Sequence, residues 1–412
     1  MKKDPMTQAM TPKQLSEIVA GRWLQPLPTA ALDEPLTGQI VIDSRQVEPG
    51  DIFWAMPGAT RHGAEFVGDA LRRGASGVIT DRTPPVNFSQ AWALCVPNSA
   101  EALGKAAVWQ REQFSGSVIG ITGSVGKTTT RQLVDHVLAS RYWGTASPRN
   151  YNNHLGVPLS MLAWRADQDY GVLEMGASAP GEIARLAGLA RPHIAVVTRI
   201  AEAHLSGFGS RLAVATAKAE LLDALPAEGW AVLNGDDPMI RRVAGRRKQR
   251  VTWVGRGADN DVTATHVRSG GGQLEFRVDG QFYTVPVWGR HHLTGALVAV
   301  AIGRSWGITP AEIADALAGF RSPAMRCEVS ALGDASLIND AYNSNPTAMR
   351  AALELLRDFD NPGRRIVICG DMRELGDESA RLHRNLGSEV VHVCGADMLI
   401  ACGDYAADVV AG

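Results

Sequence analysis

Cysteine is scarce in this sequence, and its spacing suits neither of the residue's usual structural roles. The 412 residues contain five, Cys95, Cys327, Cys369, Cys394 and Cys402. The number is odd and no C-x-x-C pair occurs, so neither a disulfide framework nor a cysteine-based metal site is expected; the thiols read as buried and reduced, as in a cytoplasmic protein. Long apolar runs are also missing. The longest uncharged one, Leu293 to Gly303, falls well short of the ~20 residues a bilayer requires, which excludes membrane insertion. Charge of either sign is not in excess: 41 Lys and Arg against 43 Asp and Glu leave a net charge of −2. That balance gives no basic field for a nucleic-acid partner. Met1-Lys2-Lys3 is followed by Asp4-Pro5 and no apolar segment, so no signal peptide is expected. What remains, 45% hydrophobic and 20% charged residues, is the composition of an ordinary globular protein with room for two or three domains.

The stretch Ser117 to Leu138, SVIGITGSVGKTTTRQLVDHVL, carries the strongest signal. Val118 to Thr122 is an apolar run of strand character, Gly123-Ser124-Val125-Gly126 a glycine turn, and Lys127-Thr128-Thr129 the start of a helix with Leu133, Val134, Val137 and Leu138 on one face. Strand, glycine turn and helix N-terminus together make a phosphate cradle: backbone N–H groups and the helix dipole face the anion. Lys127 is expected on the terminal phosphates of ATP, and the Thr128 hydroxyl on Mg²⁺. Ile121 stands where the strict G-x-x-x-x-G-K-T string has its first glycine. A solvated lysine after a glycine turn is the bland alternative, and the strand-to-helix context argues against it.

The chain reads as α/β throughout. Thr11-Pro-Lys-Gln14 opens a helix, and strands at Gly38–Asp43, Ile52–Met56 and Gly77–Thr80 make a small α/β domain over 1–114. Residues 115–322 alternate strand and helix, with strands at Val118–Thr122, Tyr170–Glu174, Ile194–Ile200, Trp230–Asn234 and Val251–Val254, which predicts a parallel sheet covered on both faces. An antiparallel patch is expected over Val262–Trp288. Residues 323–412 form a third α/β segment, with strands at Ser336–Asn339, Arg365–Cys369, Glu389–Cys394 and Met398–Cys402 and a helix from Asn345-Pro346. The third segment is expected to be incomplete, because the sequence stops at Gly412 where an α/β unit usually continues.

Several residues stand out chemically. Glu174 ends a strand on the edge where α/β sheets bind ligands, well placed for Mg²⁺, with a helix-capping or turn carboxylate as the lesser alternative. His204 follows another strand on that edge; a lone loop histidine is more often structural, and imidazole is not a usual Mg²⁺ donor. Lys218 shares a helical face with Val214, Leu221 and Leu225, so its ammonium must snorkel, pair or lose its proton. A neutral amine there could take up CO₂ as a carbamate. Asn345 and Pro346 are explained as a helix start, which leaves Asp340 and Asn343 for ligand contact.

Taken in order, TGSVGKTTT, NYNNHLGVPL, LEMGA, AHLSGFGS, AKAELL, YNSNP and GDMRELGDES resemble the Mur ligases, the ATP-dependent amide ligases of peptidoglycan precursor synthesis. YNSNP with GDMRELG is similar to the members that add D-alanyl-D-alanine to UDP-N-acetylmuramoyl-tripeptide. Asp360-Asn361-Pro362 reads as a coincidental likeness to the string of the diaminopimelate-adding member. The resemblance implies a UDP-precursor domain with Ser44 and Arg45, a central ATP domain, and a Rossmann-like C-terminal domain that closes over the nucleotide. It implies an ADP-forming reaction through an acyl phosphate, carried out by a monomer. It further implies that Glu174 and Thr128 hold one Mg²⁺, that His204 and carbamylated Lys218 hold a second, that Arg326 and Asp340 contact ATP, and that Asn152 and Asn153 face the sugar-peptide.

Departures from the family pattern are Arg199 and Ala201 before the histidine, His154 in place of an acidic residue, and His292 and Gly295 where two asparagines are usual. Two other readings stay open: a nucleotide-binding member without turnover, and a folylpolyglutamate-type ligase.

Overall fold

The computed structural model describes residues 10–26, 29–88, 91–245, 247–360 and 363–412; Met1-Lys2-Lys3 and the Asn361-Pro362 pair lie outside them. The chain forms two compact units, residues 1–116 with 147–171, and residues 117–146 with 172–412.

In the first unit, Thr11 and Gln14 exchange side-chain hydrogen bonds at the start of the helix Pro12–Ile18, the reciprocal cap its sequence predicts. Among the described residues the strands β1 (Arg22–Trp23), β2 (Ile40–Val41), β3 (Ile52–Trp54), β4 (Gly77–Thr80) and β5 (Trp92–Cys95) form one sheet in the order β1-β5-β4-β3-β2. β1 is antiparallel to β5, and the other pairs are parallel. β1 and β5 are additions to the three strands expected. Trp92, Ala93 and Leu94 are buried in succession, so β5 shows none of the alternation by which a half-exposed strand is recognised. Trp164 stacks on Phe114, ring centroids 4.5 Å apart, and its carbonyl accepts from Gln110 at 2.7 Å. These contacts hold residues 147–171 in this unit.

The second unit contains the larger sheet, with strands β6 (Ser117–Thr122), β7 (Gly144–Ala146), β8 (Tyr170–Glu174), β9 (Ile194–Val197), β10 (Trp230–Asn234), β11 (Arg250–Gly255) and β12 (Val262–Thr263) in the order β12-β11-β10-β9-β6-β8-β7. β6, β9, β10 and β11 run parallel. The chain starts at β6, runs out to the edge strand β7, returns to β8 beside β6, then crosses to β9 on the other side. That reversal opens a crevice at the carboxyl end of β6, where such sheets bind ligands. The expected antiparallel patch is present as β13 (Thr265–Gly270), β14 (Gln273–Val278) and β15 (Gln281–Val285).

The helix Leu293–Ser305 packs on the helix Lys127–Ala139 that follows the glycine turn. A Cβ on Gly295 would lie 2.8 Å from the Thr130 hydroxyl, so close packing of these helices leaves no room for the asparagine of the family pattern.

After β16 (Glu328–Leu332) and β17 (Ala335–Asn339), an antiparallel pair, β18 (Ile366–Cys369) and β19 (Met398–Ala401) pair in parallel. The strand expected over Glu389–Cys394 is instead helical. Val390–Cys394 continues the helix Ser379–Glu389 as a π turn and ends at Gly395, φ 59°. Its valines favour a strand by local preference, but continuation of the preceding helix, with packing against the helix Pro346–Asp358, decides the outcome. Of the five free thiols, Cys327, Cys369 and Cys394 are buried as expected, Cys95 is half-buried, and Cys402 is exposed.

Candidate active site

The turn between β6 and the helix Lys127–Ala139 has the backbone that its glycines permit. Gly123 has φ 145° and Gly126 φ 82°, both in the region that favours glycine. A Cβ on Gly123 would fall 2.1 Å from the Thr198 hydroxyl. Thr198 is a brace that sequence reading passes over: its hydroxyl donates to the Val125 carbonyl at 2.6 Å. Ser124 is tied to the same β9 loop. Its N–H donates to the Arg199 carbonyl at 2.7 Å, and its hydroxyl to the Ala201 carbonyl at 3.2 Å. Backbone carbonyls make these contacts, so the unusual Arg199 and Ala201 side chains leave the brace intact.

Lys127 folds back over the turn and donates to the carbonyls of Gly123 and Ser124 at 2.8 and 3.2 Å. Burial lowers its pKa, Glu174 opposes that shift, and Arg326 adds to it. Glu174, at the end of β8, is 2% exposed and acts electrostatically on both Lys127 and Arg131. The Glu174 carboxylate and the Thr128 hydroxyl, each at this end of the sheet, are oxygen donors of the kind a hard divalent cation prefers. Thr129 is buried behind them.

Residues from the C-terminal segment complete the crevice. Arg326 donates from Nη2 to the Thr128 hydroxyl at 3.4 Å, and its guanidinium lies over the Tyr342 ring, 4.1 Å from the centroid. Asp340 Oδ1 accepts from the Cys327 N–H at 3.2 Å, and burial raises the Asp340 pKa. Asn343 is exposed and accepts from the Ser344 N–H at 3.0 Å. Asn345 caps the helix Pro346–Asp358, as its sequence predicts.

His204 and Lys218 have different surroundings. His204 adopts a left-handed backbone, φ 54°, and its Nδ1 pairs with Glu374 of the GDMRELG turn. The Ser206 N–H donates to the Glu374 carbonyl at 3.1 Å, so the AHLSG and GDMRELG strings meet. A non-glycine residue held in that conformation stores of order 1 kcal/mol, a strain typical of functional loops. Lys218 is 1% exposed; its Nζ donates to the Ala177 carbonyl at 3.0 Å and lies 5.3 Å from the centre of the Phe208 ring. It does not snorkel. Burial, reinforced by Lys127, brings its pKa down to about 7.

In the first unit Ser44 is buried, and Arg45 forms a bidentate pair with Asp43, at 2.9 and 2.7 Å. Asn153 Oδ1 accepts from the N–H groups of Leu155 and Gly156 at 3.1 and 2.9 Å. Asn153 therefore ties the turn that leads into the helix Gly156–Leu162; Asn152 precedes it, half-buried.

Three family descriptions match in chain order: "Mur ligase family, catalytic domain" over residues 38–109, "Mur ligase middle domain" over 121–303, and "Mur ligase, glutamate ligase domain" over 325–411. The UDP-N-acetylmuramoyl-tripeptide–D-alanyl-D-alanine ligase of Bacillus subtilis (strain 168) is 33% identical over 383 residues, covering 92% of this chain and 82% of its own length. The enzyme of that name from Escherichia coli (strain K12) is 34% identical over 374 residues, covering 88% and 81%. Among solved structures, MurF from Acinetobacter baumannii superposes with a TM-score of 0.86 at 29% identity, covering 99% of this chain and 88% of that one. MurF ligase from Thermotoga maritima in complex with ADP gives 0.78 at 31% identity, covering 91% and 86%. Identity of that depth over nearly the whole chain, on the same three-domain α/β architecture, makes this protein a member of the Mur ligase family.

Proposed function

We propose that the chain is an ATP-dependent amide ligase that joins D-alanyl-D-alanine to UDP-N-acetylmuramoyl-tripeptide, with release of ADP and phosphate. The observation that carries the reading is the reach of Arg326 onto Thr128. Through it the C-terminal segment touches the nucleotide turn, as closure over ATP requires. The relatives bear the name of this activity, a step of peptidoglycan precursor synthesis, which we assign to a cytoplasmic monomer.

The residues divide the work. The N–H groups of the turn Gly123–Gly126 and the start of the helix Lys127–Ala139 receive the phosphates. Lys127 exchanges two carbonyl partners for phosphoryl oxygens, and the arriving negative charge favours its protonated form. Arg326 adds charge from the opposite side, while Asp340 and Asn343 line the approach. The tripeptide carboxylate displaces ADP from the γ-phosphorus, giving an acyl phosphate. The amine of D-alanyl-D-alanine then displaces phosphate from the acyl carbon. Neither step needs a covalent enzyme intermediate, so positioning and charge neutralisation supply the rate. Ser44, Arg45, Asn152 and Asn153 are assigned to the UDP-sugar-peptide, Arg45 with its guanidinium oriented by Asp43.

Thr128 and Glu174 fit a magnesium ion, which when bound would neutralise charge on the transferring phosphoryl group. Lys218 and His204 are assigned to a second ion. With a pKa lowered to about 7 by burial, the neutral amine of Lys218 is accessible at physiological pH. The neutral amine adds to CO₂ and loses a proton, giving a carbamate with the anionic oxygens a hard cation needs. The test is phosphate release: it should require ATP, UDP-N-acetylmuramoyl-tripeptide and D-alanyl-D-alanine together. Release that does not depend on the dipeptide, or binding of all three without release, would overturn the assignment.

A further inference from the structure

A second cluster of donors, of softer chemistry, lies where the C-terminal segment joins the helix Leu293–Ser305. The side chains of His291, His292 and Cys327 each offer one ligand atom, and the three atoms lie within 4.8 Å of one another. Cys327 Sγ is 3.8 Å from His291 Nε2. Zinc–sulfur and zinc–nitrogen bonds of about 2.3 and 2.0 Å give tetrahedral edges of about 3.3–3.6 Å. Small side-chain rotations therefore bring the cluster to coordinating geometry.

Independent features mark these groups as ligands rather than packing. His292 is 7% exposed, and its Nε2 is a buried nitrogen without a hydrogen-bond partner. Burial holds its pKa well below the usual imidazole range, and the Trp288 backbone opposes that shift. A buried ring nitrogen left bare is rare in a folded protein, and its lone pair is free to bind a metal. Cys327 holds a left-handed backbone, φ 50°, a strained conformation for a side-chain-bearing residue, kept where it turns the thiol toward the histidines.

We propose that His291, His292 and Cys327 form a zinc site, with a fourth position open to water, that ties the Cys327 segment to the start of the helix Leu293–Ser305. Binding exchanges the thiol proton for the metal: Cys–SH and Zn²⁺ give a zinc thiolate and a released proton. Arg199 and Arg326 act on these imidazoles and oppose a cation, while Asp340 beside Cys327 and the lost proton offset them. Thiolate and imidazole select zinc over magnesium, so this site is chemically separate from the oxygen donors at Thr128 and Glu174. Its consequence is mechanical. Cys327 adjoins Arg326, so zinc here pins the residue that reaches the nucleotide turn.

The experiment uses the full chain, reduced and without nucleotide or substrate. Cobalt(II) is added as a spectroscopic stand-in, followed by zinc. Stoichiometric cobalt should produce thiolate-to-metal charge-transfer absorption, and zinc should abolish it. Cys327→Ser should remove the band, Cys402→Ser should keep it, and His292→Asn should weaken cobalt binding at least tenfold. Absence of the band in the unmodified chain would overturn the proposal, as would a band that survives Cys327→Ser. Circular dichroism checks the fold of each variant. If Cys327→Ser does not fold, His292→Asn decides the matter, and unchanged cobalt affinity in that variant counts against the site.

Discussion

Replacing Lys218 by Met tests whether its amine is held in a desolvated site. The drop in its pKa from 10.5 to about 7 corresponds to about 5 kcal/mol of folded-state destabilisation when the ammonium is charged. The sign follows from proton counts. Between about pH 7 and 10.5 the unfolded chain holds the proton and the folded chain does not, so native stability rises with pH across that window. Below pH 7 the full cost is present, and above 10.5 it is gone. Methionine removes the cost but orphans the Ala177 carbonyl, a loss of about 1–3 kcal/mol. Lys218→Met should therefore be more stable than the native chain by about 2–4 kcal/mol near pH 6. It should be less stable by about 1–3 kcal/mol near pH 10.5. Urea unfolding in CO₂-free buffer, followed at several pH values, measures the difference. A difference that does not vary with pH would show that the amine is solvated, and the carbamate assignment would lose its basis.

The remaining predictions concern the nucleotide crevice. Lys218→Ala should be inactive, and short carboxylic acids should partly restore turnover by supplying the missing oxygens; no rescue at any concentration counts against a carbamate. Gly123→Ala should weaken nucleotide binding far more than Gly126→Ala. Its Cβ meets the Thr198 hydroxyl at 2.1 Å, whereas the nearest atom at Gly126 is 3.8 Å away and only backbone strain of about 1 kcal/mol applies. Fluorescent-nucleotide titration would expose a reversed order. Arg326→Ala should lower kcat by about 10²–10³, and Arg326→Lys should recover little, because lysine cannot both cover Tyr342 and reach Thr128; steady-state kinetics decides. Glu374→Gln should shift stability by less than about 1 kcal/mol, since its pair with His204 is partly exposed; a larger loss in denaturant titration would contradict a surface role.

Much of the crevice was legible because its parts are local. A strand, two glycines and a helix start are adjacent in sequence, so backbone conformation and helix polarity follow from residue type. Glu174 was legible by its place at a strand end, and Lys218 by a charge on an apolar face. The role of Thr198 was not, because its partner carbonyl at Val125 is reached only once β9 lies beside β6. Nor was the contact of His204 with Glu374, two loop residues joined only by packing. Val390–Cys394 shows the opposite error, where local preference favoured a strand and the preceding helix prevailed.

The cysteines mark the division most clearly. Spacing alone removed them from consideration as metal ligands, since no two lie close together along the chain. Folding sets Cys327 beside His291 and His292, and that proximity depends on how one segment docks on another. Residue order therefore determined the phosphate turn, whose chemistry is written in backbone angles and neighbouring side chains. Tertiary packing alone decided which distant groups would share a low-dielectric space, and hence that Lys218 is poised to lose its proton at neutral pH.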